Sequence, residues 1–132
     1  PEVLFCTDMW TIAPAGPLSS GKPHPRAYGS FPRVLAKYVR EKVVIPMEEA
    51  VHRMTGRTAR RLGLRDRGFV TDGSFADLTI FDPEAIQDTA TFESPAQYPV
   101  GISHVIVNGK VAVENGKHTG VAAGKVLRMH SR

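Results

Sequence analysis

The spacing of apolar residues changes near residue 67, which divides the chain into a helical half and a β half. Between residues 31 and 39, apolar side chains recur at intervals of three and four, as on one face of a helix. Ser30 precedes this run as a candidate N-cap and Pro32 falls in the first turn, so the sequence predicts a helix beginning at Ser30. After residue 67 the period changes to two: Ala76, Leu78 and Ile80 alternate with residues 77, 79 and 81 (Asp, Thr and Phe), which predicts a strand.

Two shorter helices are predicted before the change. The first begins near Pro46, where Glu48 and Glu49 favour the positive N-terminal end of a helix. Residues 55–56 (Thr-Gly) interrupt it, and a further short helix ends at residues 62–64.

The last third of the chain is typical of β-hairpins. Residues 102–107 and 110–114 are rich in β-branched side chains and are separated by Asn-Gly, the strongest short-range hairpin signal. A second Asn-Gly follows at 115–116. The polar, proline-containing residues 84–100 are predicted to form a loop.

The apolar run from Val3 to Cys6 has a different character. It shows no alternation, which predicts a strand buried on both faces, as in a parallel sheet. One such strand at a terminus cannot make a sheet, so we expect the chain to be a fragment. Residues 9–30 contain several prolines and glycines and predict a long loop after this strand.

Composition excludes several classes of protein. The 132 residues suit one globular domain, and 42% hydrophobic with 23% charged residues excludes a disordered tail or a coiled coil. No apolar run reaches the length of a membrane span, and a single cysteine excludes a disulfide framework, so we expect a cytoplasmic protein with no membrane partner. The net charge of +4 is modest, and the arginines between 57 and 67 lack interleaved aromatic residues. We therefore interpret them as a solvated face and expect no nucleic-acid partner.

Two side chains stand out as candidates for chemistry. Asp8 follows the predicted strand 3–7 at its C-terminal end, where ligands bind in parallel α/β folds, although an aspartate there can also cap the next segment. Arg26 ends the long loop and could hold a substrate carboxylate through two hydrogen bonds, or simply face solvent. The five histidines form no local metal motif, and no serine lies in a nucleophile elbow.

Several segments together resemble the C-terminal part of amidohydrolase-superfamily enzymes: residues 55–64, residues 68–82 and residues 105–116. Residues 24–35, His-Pro-Arg-Ala-Tyr-Gly-Ser-Phe-Pro-Arg-Val-Leu, resemble the N-acyl-D-amino-acid deacylase branch. The resemblance implies an α/β plus β fold class. Residues 1–66 would be the last strand and helices of a (β/α)8 metal-dependent hydrolase barrel, and residues 67–132 the closing strands of a small β-sandwich.

The resemblance also implies an activity, the hydrolysis of N-acyl-D-amino acids at a zinc centre. Its metal ligands would come mostly from earlier strands outside this chain. Asp8 would take a proton from the metal-bound water and pass it to the leaving amine, and could also be a ligand of a second metal. Arg26 would contact the substrate carboxylate. We therefore expect the isolated chain to be inactive and to need the remainder of the barrel as its partner.

Two other functions remain open. Residues 9–10 are Met-Trp where a glycine usually follows the aspartate in the family, and the loop to Arg26 is longer. These departures favour another linear or cyclic amide as substrate, as in hydantoin or dihydropyrimidine hydrolysis. The absence of a metal-ligand motif favours instead a non-catalytic structural or oligomerisation module.

Overall fold

Helices occupy the first half and an antiparallel sheet the second half in the computed structural model, which describes residues 3–17 and 19–128. The change of structure near residue 67 is thus confirmed. Within those residues, no helix combines the length and the apolar character needed to cross a bilayer. The elements in chain order are α1 (Arg26–Arg33), a π-helical segment (Val34–Glu41), α2 (Met47–Met54), α3 (Gly56–Arg61), β1 (Leu78–Phe81), β2 (Ile102–Val107), β3 (Lys110–Glu114) and β4 (Lys117–His118).

The first helix begins earlier than predicted. Pro25 occupies the N-cap position with φ −51°, and Arg26 is the first helical residue. A proline is already restricted to a φ near the helical value, so it can start a helix without a side-chain cap. Ser30 lies inside α1, where its hydroxyl donates to the carbonyl oxygen of Arg26 at 2.8 Å. The prediction of a Ser30 N-cap was therefore wrong.

Pro32 lies in the interior of α1, not in its first turn. It has no N–H to donate to the preceding turn, and the chain continues beyond it as the π-helical segment. The wider register is visible at its end, where the N–H of Lys42 donates to the carbonyl oxygen of Lys37 at 3.0 Å. Leu35 and Ala36 are the buried residues of this segment.

The two shorter helices are confirmed. α2 begins after Pro46 with Glu48 and Glu49 in its first turn, and α3 follows directly after Thr55. The Nε of Arg53 donates to Oε1 of Glu49 at 2.7 Å, one turn apart on α2.

The sheet is an antiparallel meander with the strand order β1-β2-β3-β4. Leu78 lies opposite Ile106, and Val105 lies opposite Val113. The β2–β3 turn has φ +50° at Asn108 and φ +77° at Gly109, and two positive φ angles are what a two-residue hairpin turn requires. Both Asn-Gly turns predicted from the sequence are confirmed.

Residues 3–7 form no strand, so the prediction of a buried strand was wrong for this chain. Val3 is 59% exposed and Cys6 is also exposed, not buried as the apolar run suggested. A strand is stable only when neighbouring backbones accept and donate its hydrogen bonds. The described residues contain no parallel pair of strands that could supply them.

One hydrophobic core joins the two halves. Leu35 of the π-helical segment, Ala50 of α2 and Ile86 form its buried centre, with Phe81 and Ile102 of the sheet packed against them. Ile86 is only 1% exposed, although it belongs to residues 84–100, which are a loop as predicted. This loop therefore contributes to packing and does not merely connect β1 to β2.

Arg40 binds the start of the 84–100 loop through hydrogen bonds. Its Nη1 donates to the carbonyl oxygens of Pro83 at 2.9 Å and Ile86 at 2.8 Å, and its Nη2 donates to Oε1 of Gln87 at 3.2 Å. The bond to Ile86 is part-buried, and a guanidinium supplies several donors in a fixed plane. The helical half thus holds the start of the 84–100 loop.

A second network ties the beginning of the β half to its end. Arg67 pairs with Asp77 and donates to Oδ1 of Asn108 at 2.7 Å. Nδ2 of Asn108 donates in turn to the carbonyl oxygen of Ala123 at 2.7 Å. The β2–β3 turn is therefore anchored on both sides.

The close approach of the chain at Gly101 gives a testable prediction. Gly101 has φ +82°, and a Cβ there would lie 2.4 Å from the backbone nitrogen of Ile86. Because both the conformation and the space exclude a side chain, we expect Gly101→Ala to lower the free energy of unfolding by about 3 kcal/mol in urea denaturation.

Gly124→Ala is the matched control, since nothing lies within 4 Å of a Cβ at that position. Equal urea midpoints for the two variants would contradict the packing described for Gly101 and Ile86.

Candidate active site

Arg26 is placed by the first turn of α1. Its backbone N–H donates to Nδ1 of His24 at 3.0 Å, and the N–H of Ala27 donates to the carbonyl oxygen of His24 at 3.0 Å. The His-Pro-Arg sequence thus builds its own helix start, with the histidine as acceptor and the proline setting φ. The Arg26 side chain leaves the helix at its exposed N-terminal end.

Asp8 lies against Arg26. Its Oδ2 is 2.9 Å from Nη2 of Arg26, with the two side chains 80% and 42% exposed. Asp8 has φ +51°, a left-handed conformation that aspartate tolerates better than most residues, and its N–H donates to the Sγ of Cys6 at 3.2 Å. The structure therefore brings together the two residues singled out from the sequence, although 17 residues separate them along the chain.

An ion pair this exposed adds little to stability, because water and salt screen it. Its importance is positional. One carboxylate oxygen occupies one donor of the Arg26 guanidinium, which leaves other N–H groups for a second anion. The Asp8 carboxylate, which can accept a proton, and the Arg26 guanidinium, which can bind a second carboxylate, thus lie side by side.

A cleft of about 440 Å³ opens beside Arg26, between residues 24–33 and residues 88–93. Asp88 closes one side of it: its side chain is 7% exposed and its Oδ2 accepts from Nη1 of Arg33 at 2.9 Å. A Cβ at Gly29 would lie 3.0 Å from that of Asp88, so the glycine permits the close approach. The cleft is small, and both halves of the chain contribute to it.

Charged and aromatic groups around the cleft perturb one another. The hydrogen bond to Asp88 raises the pKa of Arg33 above its usual value. Hydrogen bonds from its own backbone and from Thr91 lower the pKa of Glu93. Partial burial, with Tyr98 as neighbour, raises the pKa of Tyr28. At neutral pH, Arg33 therefore stays protonated, Glu93 stays ionised and Tyr28 stays neutral.

The other sequence candidates lie apart from this site. His52 packs edge-on against Phe69, and Nε2 of His104 is 3.8 Å from Glu114 across the sheet. His130 lies outside the described residues. Within residues 3–17 and 19–128, no group of three or more His, Cys, Asp or Glu side chains is arranged to hold a metal ion. Asp8 could supply one carboxylate ligand, but the described residues do not by themselves form a complete metal centre.

The contribution of residues 88–93 to the cleft was not predicted from the sequence. Asp88 meets Arg33 across 55 positions of the chain, and no periodicity or local motif in a polar loop indicates such a contact. Phe92 is the one large apolar side chain between residues 87 and 97, which is the only local signal that this loop packs against another segment.

Comparison with known proteins assigns the family. The model of the "Amidohydrolase family" matches residues 7–113, which include Asp8, Arg26 and all but the last residue of the β2–β3 hairpin. The chain belongs to the amidohydrolase family. The resemblance inferred from residues 24–35 and the β half is thereby confirmed.

Two curated relatives of this amidohydrolase chain come from Alcaligenes xylosoxydans xylosoxydans. A D-aminoacylase is 50% identical over 106 residues, which are 80% of this chain and 22% of the relative. An N-acyl-D-aspartate deacylase is 42% identical over 125 residues, which are 94% of this chain and 25% of the relative. The chain thus spans about a quarter of the length of the curated relatives it matches.

Solved structures agree with this assignment. A crystal structure of a D-aminoacylase, described as defining a novel subset of amidohydrolases, has a TM-score of 0.80 and 48% identity, covering 82% of this chain and 23% of that one. An N-acyl-D-glutamate deacylase from Bordetella bronchiseptica, solved with zinc and a phosphonate inhibitor, has a TM-score of 0.68 and 46% identity over 69% of this chain and 19% of that one. The amidohydrolase chain therefore shares the fold of the corresponding part of D-aminoacylase.

Proposed function

We propose that this chain is the C-terminal segment of a metal-dependent amidohydrolase that cleaves N-acyl-D-amino acids to a carboxylate and a free D-amino acid. The observation that carries the proposal is the 2.9 Å pairing of Asp8 with Arg26 beside the cleft. The matched relatives support it, since they are named for the deacylation of N-acyl-D-amino acids or as D-aminoacylase.

Arg26 anchors the substrate in this proposal. The α-carboxylate of an N-acyl amino acid accepts hydrogen bonds from the guanidinium donors that Asp8 leaves free. The scissile amide nitrogen is two bonds from that carboxylate carbon, a distance of about 2.5 Å from standard bond lengths. Holding the carboxylate at Arg26 therefore brings the amide close to Asp8.

Asp8 moves the proton. Its carboxylate accepts a proton from the attacking water and then donates it to the amide nitrogen as the C–N bond breaks, which is general base followed by general acid catalysis. Its exposed position in this chain suits a group that must meet both water and substrate.

The metal belongs to the proposal through the relatives. Zinc is present in the inhibitor-bound glutamate deacylase, and a binuclear metal centre is described for a D-aminoacylase. A bound zinc ion would supply Lewis-acid polarisation of the amide carbonyl. The described residues contain no group of three or more metal-ligating side chains, so in this proposal most ligands lie outside this chain and Asp8 is a possible ligand of a second metal.

The two parts of the chain take different places in this proposal. Residues 1–66 would carry the end of a (β/α)8 barrel, in which residues 3–7 find the parallel neighbours they lack here. Residues 67–132 would contribute the meander β1–β4 to a small β-sandwich. The antiparallel order of the sheet and the helices that precede it support this division.

The isolated chain is expected to be inactive. It should retain less than one equivalent of zinc after dialysis and release no amine from N-acetyl-D-amino acids, because a lone carboxylate makes a weak metal site. Metal analysis and an amine assay on the 132-residue chain check this. Stoichiometric zinc with turnover would contradict the proposal that most ligands lie elsewhere.

Asp8→Asn tests the proton-transfer role in a full-length protein that contains this chain. The amide keeps the size of the side chain but cannot accept the proton, so kcat is expected to fall by about 10²- to 10⁴-fold with little change in KM. Steady-state kinetics with zinc analysis measures this. Asp72→Asn, in an exposed turn of the β half, is the matched control and should leave kcat unchanged.

Arg26→Gln tests the carboxylate anchor in the same protein. We expect KM for N-acyl-D-amino acids to rise about 10- to 100-fold, the range for losing a charge-assisted pair. An N-acyl amine without the carboxylate should show the same kcat/KM with either residue at 26. Arg61→Gln on α3 is the control, and an equal loss with both substrates would exclude the anchoring role.

A further inference from the structure

Residues 88–98, here called the covering loop, pack against residues 24–33 at three points. Asp88 accepts from Arg33 at the C-terminal end of α1. The Phe92 ring meets the His24 ring edge to face, with 5.0 Å between ring centroids and an angle of 83°. The Tyr98 ring meets Tyr28 in a similar arrangement at 5.9 Å. The loop therefore follows α1 along its length.

Hydrogen bonds inside the covering loop hold Phe92 at its tip. The N–H of Thr91 donates to the carbonyl oxygen of Ser94 at 3.1 Å, and the N–H of Ser94 donates to Oγ1 of Thr91 at 3.0 Å. Oγ1 of Thr89 donates to the carbonyl oxygen of Tyr98 at 2.8 Å, which closes the base of the loop. Phe92 is 69% exposed and yet set in a defined position.

His24 connects Phe92 to Arg26. Its Nδ1 accepts from the backbone N–H of Arg26, so the Nδ1 edge of the ring must point at the first turn of α1. An edge-to-face aromatic contact fixes the plane of a ring as well as its position. The orientation that Phe92 gives to His24 is therefore the one that the Arg26 backbone requires.

We infer that Phe92 is a positioning residue: its ring holds His24, and His24 holds the first turn of α1 so that the Arg26 guanidinium meets the substrate carboxylate. The inference rests on the proposed function and extends it to the β half of the chain. A side chain 66 positions away from Arg26 thereby sets how well the enzyme binds its substrate.

The test uses a full-length protein that contains this chain, with Phe92→Ala as the main variant. We expect KM for an N-acyl-D-amino acid to rise about 5- to 10-fold with kcat unchanged, since one aromatic contact is lost and no reacting group is touched. Phe92→Tyr keeps the aromatic ring, and this variant should have the wild-type KM. Phe75→Ala is the matched control: Phe75 is also partly exposed, but its ring stacks on Arg67, away from α1, and KM should stay unchanged.

Coupling to Arg26 separates positioning from a general loss of structure. In an Arg26→Gln background, Phe92→Ala should raise KM by less than about twofold, because the group it positions is already gone. An unchanged KM in Phe92→Ala alone, a fall in kcat instead, or a full repeat of the effect in the Arg26→Gln background would each overturn the inference.

Amide hydrogen exchange gives a readout that does not depend on activity. The N–H groups of Ala27, Tyr28 and Gly29 bond back to His24 and Pro25, so they should exchange faster in Phe92→Ala and at the wild-type rate in Phe75→Ala. Unchanged exchange in Phe92→Ala overturns the inference. If the wild-type protein hydrolyses no N-acyl-D-amino acid, the proposed function fails, and the exchange rates alone decide the role of Phe92.

Discussion

The path of residues 83–98 depends on the hydrogen bonds that the guanidinium of Arg40 donates to them. Ile86 is buried in the core, so its part-buried carbonyl group needs a hydrogen-bond donor within the protein, and Arg40 supplies it while also donating to the carbonyl oxygen of Pro83. A planar group with several donors meets this need, whereas the ammonium of a lysine would not match the same set of acceptors. Fixing this turn fixes where residues 88–98 begin.

The geometry of the candidate site follows from that turn. Asp88 comes two residues after Ile86 and closes against Gly29 and Arg33, which places the rest of the loop over α1. The buried contacts therefore determine position, while the groups proposed to act, Asp8 and Arg26, remain exposed and add little to folding. In the proposed function, stability and activity therefore depend on different residues.

Local signals account for what the sequence predicted well. The Asn-Gly turns and the N-terminus of α2 depend on residues within one turn of each other, so their patterns can be identified without the rest of the fold. The start of α1 was missed because Pro25 begins the helix through its fixed φ, although Ser30 has the chemistry of a cap. Residues 3–7 have the composition of a strand, but a strand depends on its neighbours.

Long-range contacts could not be predicted in the same way. Arg40 meets the backbone of Ile86 across 46 positions, and an arginine at the end of a helical run has no mark that distinguishes it from a solvated one. Asp8 and Arg26 were both candidates from the sequence, the first from its place after an apolar run and the second from its place at the end of the long loop. Their direct pairing was not predicted, because the long segment between them has no pattern that defines its path.

That segment has a thermodynamic consequence of its own. Its described residues contain no helix or strand, and its two ends are held together by Asp8 and Arg26. The entropy lost on closing a flexible loop grows only with the logarithm of its length, so doubling the segment would cost about 0.6 kcal/mol. That is less than the contribution of a typical hydrogen bond, about 1 kcal/mol. A longer segment between Asp8 and Arg26 would therefore cost the fold little additional closure entropy.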